Sequence, residues 1–265
     1  MSRIFKNNQP ENSNSNKISV LLKYAIIEIF LVVIGILIAL QINNWNENRL
    51  LNIQKEENLI NLKSAIQKDI NLLKTIESFN DFRFNSLSQV LKWSNNSIAN
   101  LESSRLILKD SAVWNKPIPE EFEKDFFDKT ITYIQRPRIM IIHSYAMEEI
   151  KSSGIYSKIK NKHLKNLVND YYSDLYWVFG DDKQSSAIAQ LSTYFRENYN
   201  LLISDLRLLD YPIKFIEKDM GLQLRIRSVI SDANWRNIRA GKSKLMALQV
   251  LEELNKEIKR LGSYN

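Results

Sequence analysis

The sequence predicts a mainly α protein, with one N-terminal transmembrane helix continuing into an irregular all-α helical bundle. Three observations carry that prediction. Among 265 residues there are only six glycines and five prolines, too few turn formers for a turn-rich β architecture. Residues 24–42 form an apolar run whose only charge is Glu28. Between Gly35 and Pro117 there is neither Gly nor Pro, so nothing in the backbone forces a helix begun in that run to stop.

The chain opens with "NNQPENSNSN", too polar to pack, and residues 1–17 are expected to form a short disordered tail. Residues 18–45 follow as the transmembrane helix. Thirteen of the nineteen residues from Tyr24 to Ile42 are Ile, Leu, Val or Phe. At about −0.4 kcal/mol each, against roughly +3 for a central carboxylate, insertion is favourable by a few kcal/mol. Tyr24 and Trp45 stand 21 residues apart, about 31 Å along a helix, which matches a hydrocarbon layer of about 30 Å with an aromatic anchor at each interface. A cleavable signal peptide is disfavoured, because the run is too long and ends in Gln41, Asn43, Asn44 and Trp45 rather than in small residues. A soluble core helix is disfavoured because Ile29 to Leu40 is apolar all round.

Glu28, Gly35, Ala39 and Ile42 share one stripe of the helix wheel. That stripe joins a carboxylate to a small-xxx-small pair, the pattern at which a second helix, including another copy of the chain, approaches closely. A Glu one turn deep also reaches the headgroups or binds a proton there, so the two readings stand side by side. Arg3, Lys6, Lys17 and Lys23 precede the span, whereas Arg49 and Lys55 are the only basic residues in the first twenty after it. The bias places the N-terminus in the cytoplasm and residues 46–265 outside.

The stretch "EIFLVVIGILIALQINNWNENR" resembles the hallmark of a family of bacterial membrane-anchored proteins, with the strongest likeness from Glu28 to Glu47. A weaker likeness continues in "EEIKSSGIYSKIKNKHLKNLVNDYY", residues 148–172. The resemblance implies one N-terminal span in the bacterial inner membrane, followed by a helical domain of unknown function in the periplasm. It supplies no activity.

Past the span, residues 46–96 read as a long amphipathic extension of the same helix. Leu59, Leu62, Ile66, Ile70, Leu73, Phe84 and Leu91 hold one face at steps of three and four, with Ile76 and Leu87 on its shoulder. The heptad pattern lapses at Asn80, which favours a bundle over a coiled-coil stalk. "SNNSIANLESS" is expected to turn the chain. "PEEFEKDFFDK" reads as a short helix entered through Pro119, and "RPRIMIIHSYAMEEIKSSG" as another stopped at Gly154. Residues 161–200 form the next helical stretch, interrupted at "FGDDKQ"; "LLDYPIKF" is a linker; residues 221–239 and 243–261 are two final helices separated by "RAGKS".

Chemistry is sparse. There is no Cys, which removes disulfides, thiolate metal sites and Cys nucleophiles. "AGKS" at Ala240–Ser243 resembles the end of a phosphate-binding loop, but Arg236 stands where that loop needs Gly, and Ser243 reads better as an N-cap. His143 and His163 lie twenty apart in no metal-ligand spacing, and a Ser-His-Asp arrangement could only assemble from distant segments. Tyr171, Tyr172, Tyr176, Trp177, Phe179, Tyr194, Phe195 and Tyr199 form the densest aromatic region; positions 172, 176 and 179 are expected to share a core face, with a ligand cage as the alternative. The acidic pairs Glu120/Glu121 and Asp181/Asp182 sit at turn or entry positions. No catalytic, cofactor or metal residue is expected.

The net charge of +7 is spread along the chain, +3 over residues 1–23, +2 over 44–116, none over 117–160 and +3 over 161–265, with Glu28 opposing. The densest basic stretch holds Arg225, Arg227, Arg236, Arg239, Lys242 and Lys244 against Asp232 alone. A solvated helix face explains it first and an anionic partner second; nucleic acid is disfavoured. The sequence therefore points to a membrane-anchored interaction or sensing module that meets a protein partner, a ligand or another copy of itself. The alternatives are an envelope hydrolase built from dispersed residues and a cytoplasmic-facing effector that uses residues 225–244 on lipid or nucleic acid.

Overall fold

The computed structural model describes residues 13–95, 113–134, 140–180 and 186–262, with side chains from residue 21 onward. Among the described residues there is no strand. Nine helices follow one another: α1 (Ser13–Trp93), α2 (Lys124–Ile134), α3 (Tyr145–Ser152), α4 (Ile155–Lys158), α5 (Lys162–Phe179), α6 (Ser186–Tyr199), a 3-10 helix (Ile203–Leu208), α7 (Pro212–Glu217) and α8 (Met220–Gly262). The chain is mainly α, as its composition predicts: a long apolar N-terminal helix leads into a helical bundle. It divides into two units, Met1–Gln54 with Leu261–Asn265, and Lys55–Arg260.

In the first unit α1 opens at Ser13, inside the stretch expected to be a disordered tail; residues 1–12 lie outside the described residues. From Leu21 the helix is apolar and exposed on every side. Tyr24, Ile29, Phe30, Leu31, Ile36, Ile42 and Trp45 are all more than half exposed, in a helix long and apolar enough to cross a membrane.

The second unit has a core of its own. The predicted face of α1 is buried at every position, from Leu59, Leu62, Ile66 and Ile70 through Leu73 and Ile76 to Phe84, Leu87 and Leu91. It is covered from within the chain. Lys55 lies within electrostatic reach of Glu257 and Arg260, Glu77 pairs with Lys244, Arg83 faces Asp232 and Arg236, and Asn95 donates to Glu217 at 2.7 Å. As numbers rise along α1 they fall along the facing segment, so α1 and α8 lie antiparallel. The third long helix, α5, also runs against α8: Asn161 meets Glu253, Asp174 meets Arg239 and Trp177 meets Trp235.

The shorter helices close one end of the unit. There Phe84, Leu87, Val90 and Leu91 of α1 share a core with Phe127 and Ile131 of α2, Phe195 of α6, Leu206, Ile216 of α7 and Val229 of α8. Beside it Phe79, Phe82, Trp114 and Phe126 form a second, aromatic cluster, in which Phe82 and Trp114 both meet the Phe126 ring edge-on.

Several boundaries differ from those expected, each for a local reason. Helix α1 ends at Trp93, and Asn95 takes a φ of 54°, the left-handed stop that Asn tolerates; the rest of "SNNSIANLESS" lies outside the described residues. Helix α2 starts at Lys124, not at Pro119, because the Glu120 carbonyl is taken by Trp93 Nε1 at 2.7 Å and Gln89 Nε2 at 3.2 Å. Of the helix expected over "RPRIMIIHSYAMEEIKSSG", residues 136–139 lie outside the described residues and the helical part of the remainder is α3. Residues 140–144 are not helical, and the His143 N–H donates to Asp69 instead of to a helical carbonyl. Gly154, at a φ of 72°, separates α3 from α4 as predicted. "LLDYPIKF" is not only a linker, since Pro212 opens α7 from its first helical position.

The largest correction concerns "RAGKS". Residues 221–239 and 243–261 belong to one continuous helix, α8, and Ser243 is not an N-cap. The small residues there admit neighbours instead of ending the helix. Ala240 and Ser243 are fully buried, Ser243 Oγ donates to Asp174 at 2.7 Å, and a Cβ on Gly241 would stand 3.1 Å from Glu77 Oε1. Gly241→Pro should therefore cost at least about 3 kcal/mol of stability, as in any helix interior, where a loop position would tolerate it. Chemical denaturation followed by circular dichroism measures the difference.

Candidate functional site

In the apolar part of α1, Glu28, Gly35, Ala39 and Ile42 are all exposed. A Cβ added at Gly35 would meet nothing within 4 Å. The stripe is therefore open along its length, and Tyr24 and Trp45 stand exposed at its two ends.

The basic stretch of α8 is not a free patch, because carboxylates from α1 and α5 come to face it. Arg236 bonds Asp232 one turn earlier at 3.1 Å. Arg239 pairs with Asp174 of α5, which also has Lys242 within 3.7 Å, and Lys244 pairs with Glu77 of α1. Arg225 stacks over the Tyr194 ring at 3.8 Å and donates to the Gly221 carbonyl. Arg239 lies over Trp177 at 4.7 Å. Their sequence partners, Glu77 and Asp174, lie far away in the chain and only the antiparallel packing brings them together.

Half of the aromatic region is core. Tyr171, Tyr172, Phe179 and Phe195 are buried, but Tyr176 is 49% and Trp177 58% exposed. The buried face of α5 runs through Leu164, Val168, Tyr171, Tyr172, Leu175, Val178 and Phe179, so positions 172 and 179 lie on it as expected and 176 does not.

The most polar buried constellation was not visible as a motif. Asp69 of α1, fully buried, accepts from the His143 backbone N–H at 3.0 Å and from the Tyr171 hydroxyl at 3.0 Å, while His143 Nδ1 lies 2.6 Å from the same carboxylate. Tyr172 donates to the His143 carbonyl at 3.1 Å. Burial first, then the Asp69 charge, push the Tyr171 and Tyr172 hydroxyls well above the ordinary tyrosine range, so both remain donors. The contact of His143 Nδ1 with Asp69 is the His-Asp half of a Ser-His-Asp arrangement. No serine hydroxyl is seen to hydrogen-bond that ring among the described residues, so the network clamps residues 140–144 to α1 and α5. His163 is exposed on α5.

A second tyrosine–carboxylate network caps α8. Asp219 accepts from the Leu222 N–H at 3.0 Å, from Tyr194 at 3.0 Å and from Tyr199. Burial opposes its ionisation, but these hydrogen bonds outweigh it and hold the carboxyl below its usual range. A Cβ on Gly221 would come within 2.5 Å of the Tyr194 hydroxyl, so the helix entry needs glycine.

Two buried charges of α1 have weaker support. Burial lowers Arg83 to about 10; its guanidinium reaches Asn80 Oδ1 at 3.0 Å and the Tyr133 carbonyl, while Nε has no acceptor. Burial lifts Asp81 to about 6 against the opposing hydrogen bond from Asn85.

The described residues form a cavity of about 470 Å³ where the end of α1, the residues before α2 and the entry to α7 converge. Trp93, Phe122 and Tyr211 wall it, with Pro212 and Ile213, and Glu121, Asp210, Glu217 and Lys214 bring charge to it. Trp93 Nε1 is fixed by the Glu120 carbonyl at 2.7 Å, and the Trp93 and Phe122 rings meet edge-on at 5.5 Å. Of the acidic pairs, Glu120 supplies its carbonyl to this wall and Glu121 lines the cavity, while Asp181 and Asp182 lie outside the described residues. Sequence reading could not assemble the cavity, since its walls come from segments about thirty and ninety residues apart; Pro119, ahead of the non-helical residues 120–123, and Pro212, which opens α7, were the available signal. Among the described residues no group of three or more His, Asp or Glu side chains is arranged to hold a metal ion.

No family model matches the chain, and no curated protein or solved structure matches it.

Two predictions follow from the buried carboxylates. Asp69→Ala leaves the Tyr171 hydroxyl and the His143 N–H without acceptors and should cost about 3 kcal/mol; adding Tyr171→Phe should return about 1 kcal/mol, read by a double-mutant cycle in denaturant. For Asp81 the folded value lies above the ordinary 3.8, so its contribution is complete below about pH 4 and is lost as pH rises through about 6. Asp81→Asn should remove that loss and gain about 1 kcal/mol over the native chain at pH 8, with no gain at pH 4.

Proposed function

We propose that this protein is a single-pass, membrane-anchored helical module whose bundle binds a partner or ligand and carries no catalysis of its own. One observation carries the reading: a single helix has an apolar length exposed on every side and also supplies the buried face of a bundle that closes within the same chain. Exposed apolar surface on that scale is not stable in water, and lipid is the solvent that fits it. The surplus of basic residues before the span supports a cytoplasmic N-terminus and a bundle outside, and the resemblance of residues 28–47 supports the bacterial inner membrane. The open stripe of Glu28, Gly35, Ala39 and Ile42 supports pairing between spans of two copies.

The hydrolase alternative draws on the His143–Asp69 pair alone, with no nucleophile hydrogen-bonded to the imidazole among the described residues. The effector alternative has less support, since Arg225, Arg236, Arg239, Lys242 and Lys244 already face carboxylates, a carbonyl or a ring within the chain.

Alkaline carbonate extraction tests the anchor: the full chain should stay in the membrane pellet, and deletion of residues 1–50 should move it to the supernatant. A full chain that remains monodisperse without detergent overturns the reading. Reporter fusions at the C-terminus should be active outside the cytoplasm only.

A further inference from the structure

The cavity at the end of α1 has a chemistry more specific than its shape. Its volume of about 470 Å³ falls within the range of small-molecule sites. Three of its walls are aromatic faces or edges, Trp93, Phe122 and Tyr211, with Phe122 44% and Tyr211 70% exposed. Two of its carboxylates, Glu121 and Asp210, have no ion-pair partner among the described residues. The carboxylates facing the basic stretch of α8, by contrast, are each matched to a cation of the chain. Among the described residues the carboxylates of the cavity are not grouped for a metal ion; they share the lining with three aromatic side chains. Carboxylates together with π faces attract a diffuse, weakly hydrated cation more than a compact one. The Tyr211 ring already carries a positive charge, since Lys214 Nζ lies over it at 5.2 Å, but an ammonium is compact and strongly hydrated.

We infer that the cavity lined by Trp93, Phe122, Tyr211, Glu121 and Asp210 binds a small organic cation of the quaternary-ammonium or guanidinium class, with Lys214 as an internal competitor for the Tyr211 face. The inference deepens the binding role proposed for the bundle and does not depend on the span, because every lining residue lies between positions 93 and 217.

The test is a titration of the full chain in a non-ionic detergent with choline, tetramethylammonium and arginine methyl ester, against 3,3-dimethylbutan-1-ol as the neutral isostere of choline, read by calorimetry. At least one cation should bind about tenfold tighter than the isostere. The double variant Glu121→Gln/Asp210→Asn should weaken it about fivefold, and Tyr211→Ala should do the same by removing a wall. Lys214→Gln should strengthen binding about threefold, a gain that a merely apolar pocket would not show. These positions are exposed, so the fold should be kept, and circular dichroism checks that it is. Equal affinity for the isostere, indifference to all four substitutions, or no binding of any cation up to about 10 mM overturns the inference. Displacement of the bound cation by phosphatidylcholine nanodiscs supports a lipid headgroup as its source, and binding unaffected by them supports a free solute. A chain that binds cations yet leaves the membrane in carbonate sinks the anchor and keeps the site; a chain that stays in the membrane and ignores cations does the reverse.

Discussion

The antiparallel contact between residues 55–93 of α1 and helix α8 is the constraint on which the rest of the bundle depends. It buries the apolar face of α1, and it does so with small residues of α8. Ala233, Ala240 and Ala247 are fully buried along that helix at intervals of seven, and Gly241 leaves room for Glu77. Seven residues make nearly two turns, so these positions stay on one side and two backbones can approach closely. Where the helices come close, their charged neighbours must be matched, and Glu77 with Lys244 and Asp174 with Arg239 and Ser243 are the consequence. A polar pair at such a contact adds little net energy, because desolvation offsets attraction; its effect is to make one register better than its neighbours.

This register also explains where irregular structure is tolerated. Residues 140–144 leave helical geometry because their hydrogen bonds go to Asp69, and Asp69 can be buried because His143 and Tyr171 satisfy it. The residues before α2 leave it because the end of α1 takes the Glu120 carbonyl. In both places a side chain from the long helix replaces a backbone partner. The first replacement produces a closed clamp. The second keeps residues 120–123 out of helix beside the aromatic cavity.

Much of the fold was legible in the sequence, and the parts that were not share a cause. The apolar run, the missing helix breakers after Gly35 and the spacing of Leu59 to Leu91 are local signals, and they recovered α1 and the all-α class. "RAGKS" failed because Gly, Ala and Ser have two meanings: they loosen a helix in water, and they let a neighbouring helix approach in a core. Only the position of Glu77 and Asp174 decides between them, and that is a tertiary fact. Tyr176 failed for a similar reason: the core face of α5 takes Tyr171, Tyr172, Leu175 and Phe179 and leaves 176 outside, and which side of the helix is covered is again a tertiary fact. The six cations of α8 were read as sharing Asp232 because their other partners come from α1 and α5.

The cavity illustrates the same limit from the opposite direction. Trp93, Phe122 and Tyr211 carry no motif, and each taken alone is an ordinary aromatic residue near the end of a helix. What gives them a common role is that α1 stops at Trp93, that α2 starts late, and that Pro212 sets the entry of α7. Glu121, Asp210 and Glu217 reach the same cavity as those rings, and carboxylates set beside aromatic faces favour a positive charge that comes from outside the chain.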